Sequence, residues 1–180
     1  MKFGFVRLTC FVLLWFALVN SASAQAIRQL TLNDFKGVPH TDLNTVAYTN
    51  CSISFRYEAR REKNYYLLNF DINLTLNDCV SWIDKKRITS DEMLAEVLKH
   101  EEGHYLIAYM EQQELLRTVG KTVFYADYQS AAQNIFNRID AKYKQLNVDY
   151  DTDTRHMQNR VQQQSWDAYF RKRLTYMPPQ

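Results

Sequence analysis

The sequence lacks an excess of charge of either sign, an internal repeat, a low-complexity tract and any apolar run long enough to span a membrane comfortably, and it carries only three cysteines. Each absence excludes something. The apolar run at residues 8–19 follows Lys2 and Arg7 and precedes the small-x-small pattern Ala22-Ser23-Ala24. That is the layout of a secretory signal peptide, and the run is short for a span. Cys10 lies early in this run, where it reads as apolar filling and not as a lipoprotein cysteine. Residues 1–24 are therefore expected to be removed, leaving residues 25–180 as one periplasmic or secreted domain without stable membrane insertion. That length suits a single domain with a sizeable core. Without Lys2 and Arg7, 20 basic residues face 20 acidic ones, so nothing favours nucleic acid or an anionic membrane as partner. The remaining cysteines, Cys51 and Cys79, form an even pair in an oxidising compartment, which predicts one disulfide, with a Cys-ligated zinc as the alternative.

The order of patterns is strands first, then helices, which predicts an α+β fold. Residues 26–32 alternate loosely as a strand, and residues 33–39 gather turn formers around Phe35. Residues 46–57 place Cys51, Ile53, Phe55 and Tyr57 at period two, and residues 65–76 do the same from Tyr66 to Leu76, so the two should pair as an antiparallel hairpin across the charged turn 58–64. A short strand-like stretch, 79–83, precedes the helices. Helical spacing covers residues 89–119, 127–146 and 157–174, with a polar link at 147–155 between the last two.

Within the first helix lies His100-Glu101-Glu102-Gly103-His104, an H-E-x-x-H pattern. With four histidines and eight glutamates available, it arises by chance in roughly one such chain in three hundred. Two histidines four apart on a helix stand nearly above one another, so both imidazoles can reach one metal ion. Glu101 is about 100° round from His100, on the side toward which His104 has advanced, whereas Glu102 points elsewhere. Thr89-Ser90-Asp91-Glu92 offers a capping box, Thr89 with Glu92, ahead of the inward stripe Leu94, Val97, Leu98, Tyr105 and Ala108, on which Glu101 and His104 also fall. A carboxylate and an imidazole facing a core are costly unless paired or metal-bound. Imidazole nitrogens suit Zn2+, and a three-ligand zinc leaves a position for a water whose proton Glu101 would take.

A third ligand is needed. The extended pattern H-E-x-x-H-x-x-G-x-x-H fails at Ile107 and Met110, and no glutamate follows Glu114. Glu111 and Glu114 lie about 10 and 15 Å along the axis from His104, too far for one ion. The segment Asp149 to His156 is the only later stretch that combines a histidine with clustered carboxylates. His156 is the expected ligand, with Asp151 and Asp153 as fallback ligands or orienting partners, and Tyr150 as donor to a developing oxyanion. His40, a loop histidine, is an outside candidate.

Taken together, Leu30-Thr31 with Asp34-Phe35-Lys36-Gly37 and Pro39, Ala47-Tyr48-Thr49, Ser81-Trp82, the His100 to His104 pattern, Asp149-Tyr150-Asp151 with Thr154 and His156, and Trp166 resemble the bacterial family called domain of unknown function 922, described as predicted secreted zinc-dependent proteases of the zincin type. Two departures are Leu32 in place of an aromatic and Arg155-His156-Met157 in place of Asn-His-Gly. The resemblance implies a zincin-like fold with an antiparallel sheet packed on helices, a peptide substrate, metal roles for His100, His104 and His156, and a base role for Glu101. A zinc-bound interaction module without turnover and a zinc amidohydrolase acting on cell-wall peptides are the rival expectations.

Overall fold

In a computed structural model, residues 27–40 and 45–176 are described; the expected signal peptide lies outside them. The fold is α+β. Strands β1 (Ala47–Tyr48), β2 (Cys51–Arg61), β3 (Tyr66–Leu76) and β4 (Trp82–Ile83) precede helices α1 (Asp91–Gly120), α2 (Tyr128–Thr154) and α3 (Arg160–Tyr176). Two small antiparallel sheets form, β2 with β3 and β1 with β4, in place of one sheet.

The β2–β3 hairpin has the register that the alternation demands, from Cys51 opposite Leu76 to Arg61 opposite Tyr66. One face of β3, from Tyr66 through Ile72 to Leu76, turns inward while Leu67, Asn69, Asp71, Asn73 and Thr75 are exposed. Both strands run up to the turn at residues 62–65, so pairing continues through Glu58 to Arg61, which the charge had suggested was turn. Residues 27–31 form no strand; a single 3-10 turn follows at Leu32–Asp34. That segment is tied down by other means. Gly37 N–H donates to the Ser81 carbonyl at 2.8 Å, and a Cβ on Gly37 would lie 2.9 Å from that oxygen, so glycine is required for the approach. Ser81, wholly buried, accepts from Asn50 N–H at 2.9 Å and donates to the Asn77 carbonyl at 3.0 Å.

Helix α1 is the central element and lies between two apolar cores. On one side Ile107, Met110, Leu115 and Val119 join the hairpin, α2 and α3. On the other, Val97 and Tyr105 join Leu30, Phe35, Ala47 and Ile83. Full burial of side chains such as Met110, Leu115 and Ile139 stabilises by about 1.5–3 kcal/mol each. The cap of α1 is Ser90, not Thr89: Ser90 has the extended backbone next to Asp91, and its Oγ accepts from Met93 N–H at 3.2 Å.

Helix α2 runs eight residues past its expected end at 146 and absorbs most of the expected polar link. Asn, Asp and Thr are weak helix formers, which is why the sequence reads as a link, but tertiary packing overrides propensity. Thr152 and Thr154 return their hydroxyl protons to the carbonyls of Val148 and Tyr150, at 2.8 and 2.6 Å.

The expected disulfide is absent: Cys51 and Cys79 are both free. Cys51 is part of β2 and packs against the second core, whereas Cys79 is exposed in the turn after β3 and bonds to Asp78. Burial, and then the charge of Glu101, pushes the Cys51 thiol up to about 12. Among the described residues, no helix is long and apolar enough to cross a membrane.

Candidate metal centre

Three segments converge on one point. Helix α1 contributes His100, Glu101 and His104; the last turn of α2 contributes Asp151; the turn after α2 contributes His156. The Oδ1 atom of Asp151 lies 3.2 Å from His100 Nε2, 3.2 Å from His104 Nε2 and 3.2 Å from His156 Nδ1. The two Nε2 atoms are 3.3 Å apart. Two overlapping sets of potential metal ligands result among the described residues, His100 with Glu101 and His104, and His100 with Asp151 and His156. In each, the donor atoms lie within 4.8 Å of one another.

The electrostatics call for positive charge at the centre. Burial alone would hold the Asp151 carboxyl high, but the hydrogen bonds from His100 and His104 and the charges of His104 and His156 bring it far below the usual range. Burial would likewise lower His104, yet the Asp151 hydrogen bond, the charges of Glu101 and Asp151, and Asn147 raise it to about 9. A proton on His104 or a metal ion satisfies the same demand.

The imidazoles are oriented from behind. Gln163 on α3 donates from Nε2 to Asp167 Oδ1 at 3.1 Å, and a carboxylate only accepts, so Oε1 is the atom that faces His100 Nδ1 at 3.2 Å. Nδ1 of His100 therefore donates to Gln163, and a bound ion would meet the Nε2 lone pair. Asn147 Oδ1 stands 2.7 Å from His104 Nδ1 and fixes that ring in the same sense. Asn147 and Asp151 are one turn apart on α2, and the extension of the helix is what aims both at α1.

Tyr150 fills the space under the motif. Its ring stacks on His100, centroids 4.7 Å apart, and its hydroxyl donates to the His100 carbonyl at 3.0 Å while accepting from Gln163 Nε2 at 2.8 Å. Gly103 leaves room for this: a Cβ there would lie 2.7 Å from Tyr150 Cε1 and closer still to the hydroxyl.

The sequence profile of a bacterial family of proteins of unknown function, DUF922, matches residues 18–157, more than half of the chain. The chain belongs to DUF922. Neither a curated protein nor a solved structure matches.

The DUF922 match ends at Met157 and so includes both halves of the cluster but none of α3, which carries Gln163. Of the residues read from the sequence of this DUF922 chain, His100, Glu101, His104, Asp151 and His156 come together. Asp153 does not: it is exposed and accepts from Trp166 Nε1 at 3.0 Å. His40 is exposed against the edge of Trp82, ring centroids 6.0 Å apart, and belongs to neither ligand set. Tyr150, expected to face a substrate oxyanion, is wholly buried with its hydroxyl committed to the backbone of α1. Glu102 is turned away, toward Asp167, and Glu114 pairs with Lys142 and Tyr143. Asn147, Gln163 and Asp167 were not found by sequence reasoning; a helix drawn through residue 151 would have placed Asn147 beside Asp151, while nothing local marks Gln163.

Beside His104 a cleft of about 270 Å3 opens between the start of β2 and the facing surfaces of α1 and α2.

Proposed function

We infer that the protein is an exported zinc metallopeptidase. The observation that carries this reading is Glu101 Oε2, a buried carboxylate oxygen with no hydrogen-bond partner, next to the paired imidazoles of the motif. An idle buried carboxylate oxygen costs stability, and a proton taken from a water at the site would relieve that cost.

The donor set fits zinc. A tetrahedral zinc about 2.0–2.1 Å from each ligand places neighbouring ligands about 3.3–3.4 Å apart; His100 Nε2 and His104 Nε2 are 3.3 Å apart, and each of the three imidazoles is 3.2 Å from Asp151 Oδ1. His100, His104 and His156 would hold the ion. Bound zinc supplies Lewis-acid polarisation of a carbonyl and brings a water's pKa toward about 7. Glu101 takes a proton from the attacking water and returns it to the leaving amine. Gln163 and Asn147 keep the two imidazoles in the tautomer that turns Nε2 inward. Tyr150 supports the His100 turn of the helix and is a positioning residue.

A second reading rests on Asp151. Its Oδ1 completes a set of four donors, and a closed four-ligand site is the hallmark of structural zinc. Under that reading the protein is an interaction module without turnover.

Zinc content and peptide cleavage, measured together, separate the two. Wild type should bind one zinc and cleave unfolded protein or peptide libraries, and Glu101→Gln should keep the zinc and lose cleavage by about a hundredfold or more. Cleavage by Glu101→Gln at the wild-type rate would sink the mechanism. Zinc in wild type with no cleavage of protein, peptide or muropeptide would select the interaction module.

A further inference from the structure

The cleft beside His104 has a feature that the proposed chemistry leaves unused. Glu111 lies seven residues beyond His104 on α1, a rotation that returns to the same face about 10 Å along the axis. Glu111 is only 9% exposed and lines the cleft; among the described residues it makes no hydrogen bond and no ion pair, although the charge of Lys144 reaches it. Asp140 from α2 adds a second carboxylate, held by Lys144 at 2.8 Å, whose own side chain is 75% exposed. The rest of the lining mixes apolar side chains, Ile53, Ile107, Ala108 and Phe136, with polar ones such as Asn50 and Asn147, and Lys144 borders it. Thr49 presents to the same cleft a buried Oγ1 that also has no partner.

Burial, and then the charge of Asp140, raises Glu111 to about 7 against the opposing pull of Lys144. A carboxylate sunk in this way is costly when ionised, and a cationic guest removes that cost. A cleft that sets apolar side chains beside a buried carboxylate with no hydrogen bond matches a long aliphatic stem with a charged head.

We propose that this cleft is the subsite for a lysine or arginine side chain of the peptide substrate, with Glu111 as its ion-pair partner. The proposal rests on the peptidase reading for its substrate, but its test need not involve turnover.

Two blocked peptides, identical except for lysine or norleucine at a single position scanned along the sequence, are titrated calorimetrically into zinc-loaded Glu101→Gln protein, residues 25–180. At one position the lysine peptide should bind about tenfold more tightly, and this preference should vanish in Glu101→Gln/Glu111→Gln. Equal affinity for lysine and norleucine at every position overturns the proposal, and so does a lysine preference that survives loss of the Glu111 charge. Where the double variant fails to fold, equal affinity for lysine and norleucine in the single variant still overturns the proposal. A lysine preference in a protein that cleaves no peptide would keep the subsite while removing the peptidase function.

Discussion

The two halves of the candidate metal centre are built differently. His100 and Glu101 are each 3% exposed, in the middle of a long helix with apolar cores on both sides. The His156 side chain is 52% exposed and stands on a turn where Arg155, His156 and Met157 all have positive φ, 48°, 49° and 76°. The α1 half is held by helix hydrogen bonds, by Gln163 behind His100 and by Tyr150 beneath Gly103. The other half is held by a backbone conformation that L-residues adopt at a cost of roughly 1–2 kcal/mol each. Chelation of an ion here would join a pre-set pair of nitrogens to a donor on a strained corner. The contrast also explains the Asn-His-Gly that the resemblance led one to expect at 155–157: asparagine and glycine are the residues that occupy left-handed backbone at least cost.

The largest effect should come from breaking the firm half. In an isolated helix Gly103→Ala would gain about 1 kcal/mol. Here the new methyl displaces the Tyr150 ring and its bond to the His100 carbonyl, so a net loss of about 2 kcal/mol is expected in urea unfolding. A stabilised variant would mean that Tyr150 does not support the motif. A comparable change, in metal affinity, should follow when His100 is left in place but loses its support. Gln163→Leu removes the acceptor at Nδ1 and should weaken zinc binding about 10- to 100-fold in a competition titration. Unaltered affinity would show that burial alone orients the ring. The smallest effect sharpens the comparison from the other side. Arg155 is exposed and left-handed at the end of α2, so Arg155→Asn should raise the unfolding free energy by about 0.5 kcal/mol without changing zinc affinity. A destabilised variant would show that the arginine side chain holds the turn.

How much of this was legible varied with the range of the interactions involved. The hairpin register followed from a period-two pattern of apolar residues, and the H-E-x-x-H pair followed from helical geometry, because both depend on neighbours a few residues apart. The end of α2 was misread because Asn147 to Thr154 is rich in residues that disfavour helix, while the packing of Tyr150 against His100 and Phe170 holds the helix together from outside. The capping residue of α1 was misplaced by one, since Thr89 and Ser90 are both able caps and only the backbone distinguishes them. The pairing of Cys51 with Cys79 was inferred from an even count and a compartment, neither of which says where a side chain lies.

By itself the sequence determined the strands-then-helices order, the facing imidazoles of His100 and His104, and the placement of Glu101 beside them, all consequences of fixed rise and rotation per residue. Only the tertiary structure decided that Asp151 stands among the three imidazoles, that Gln163 and Asn147 orient two of them, that Tyr150 lies beneath the helix, and that Glu111 is buried in a cleft beside the site. Those are contacts between segments up to 63 residues apart. Their geometry is set by how the helices pack around α1, which no local periodicity encodes.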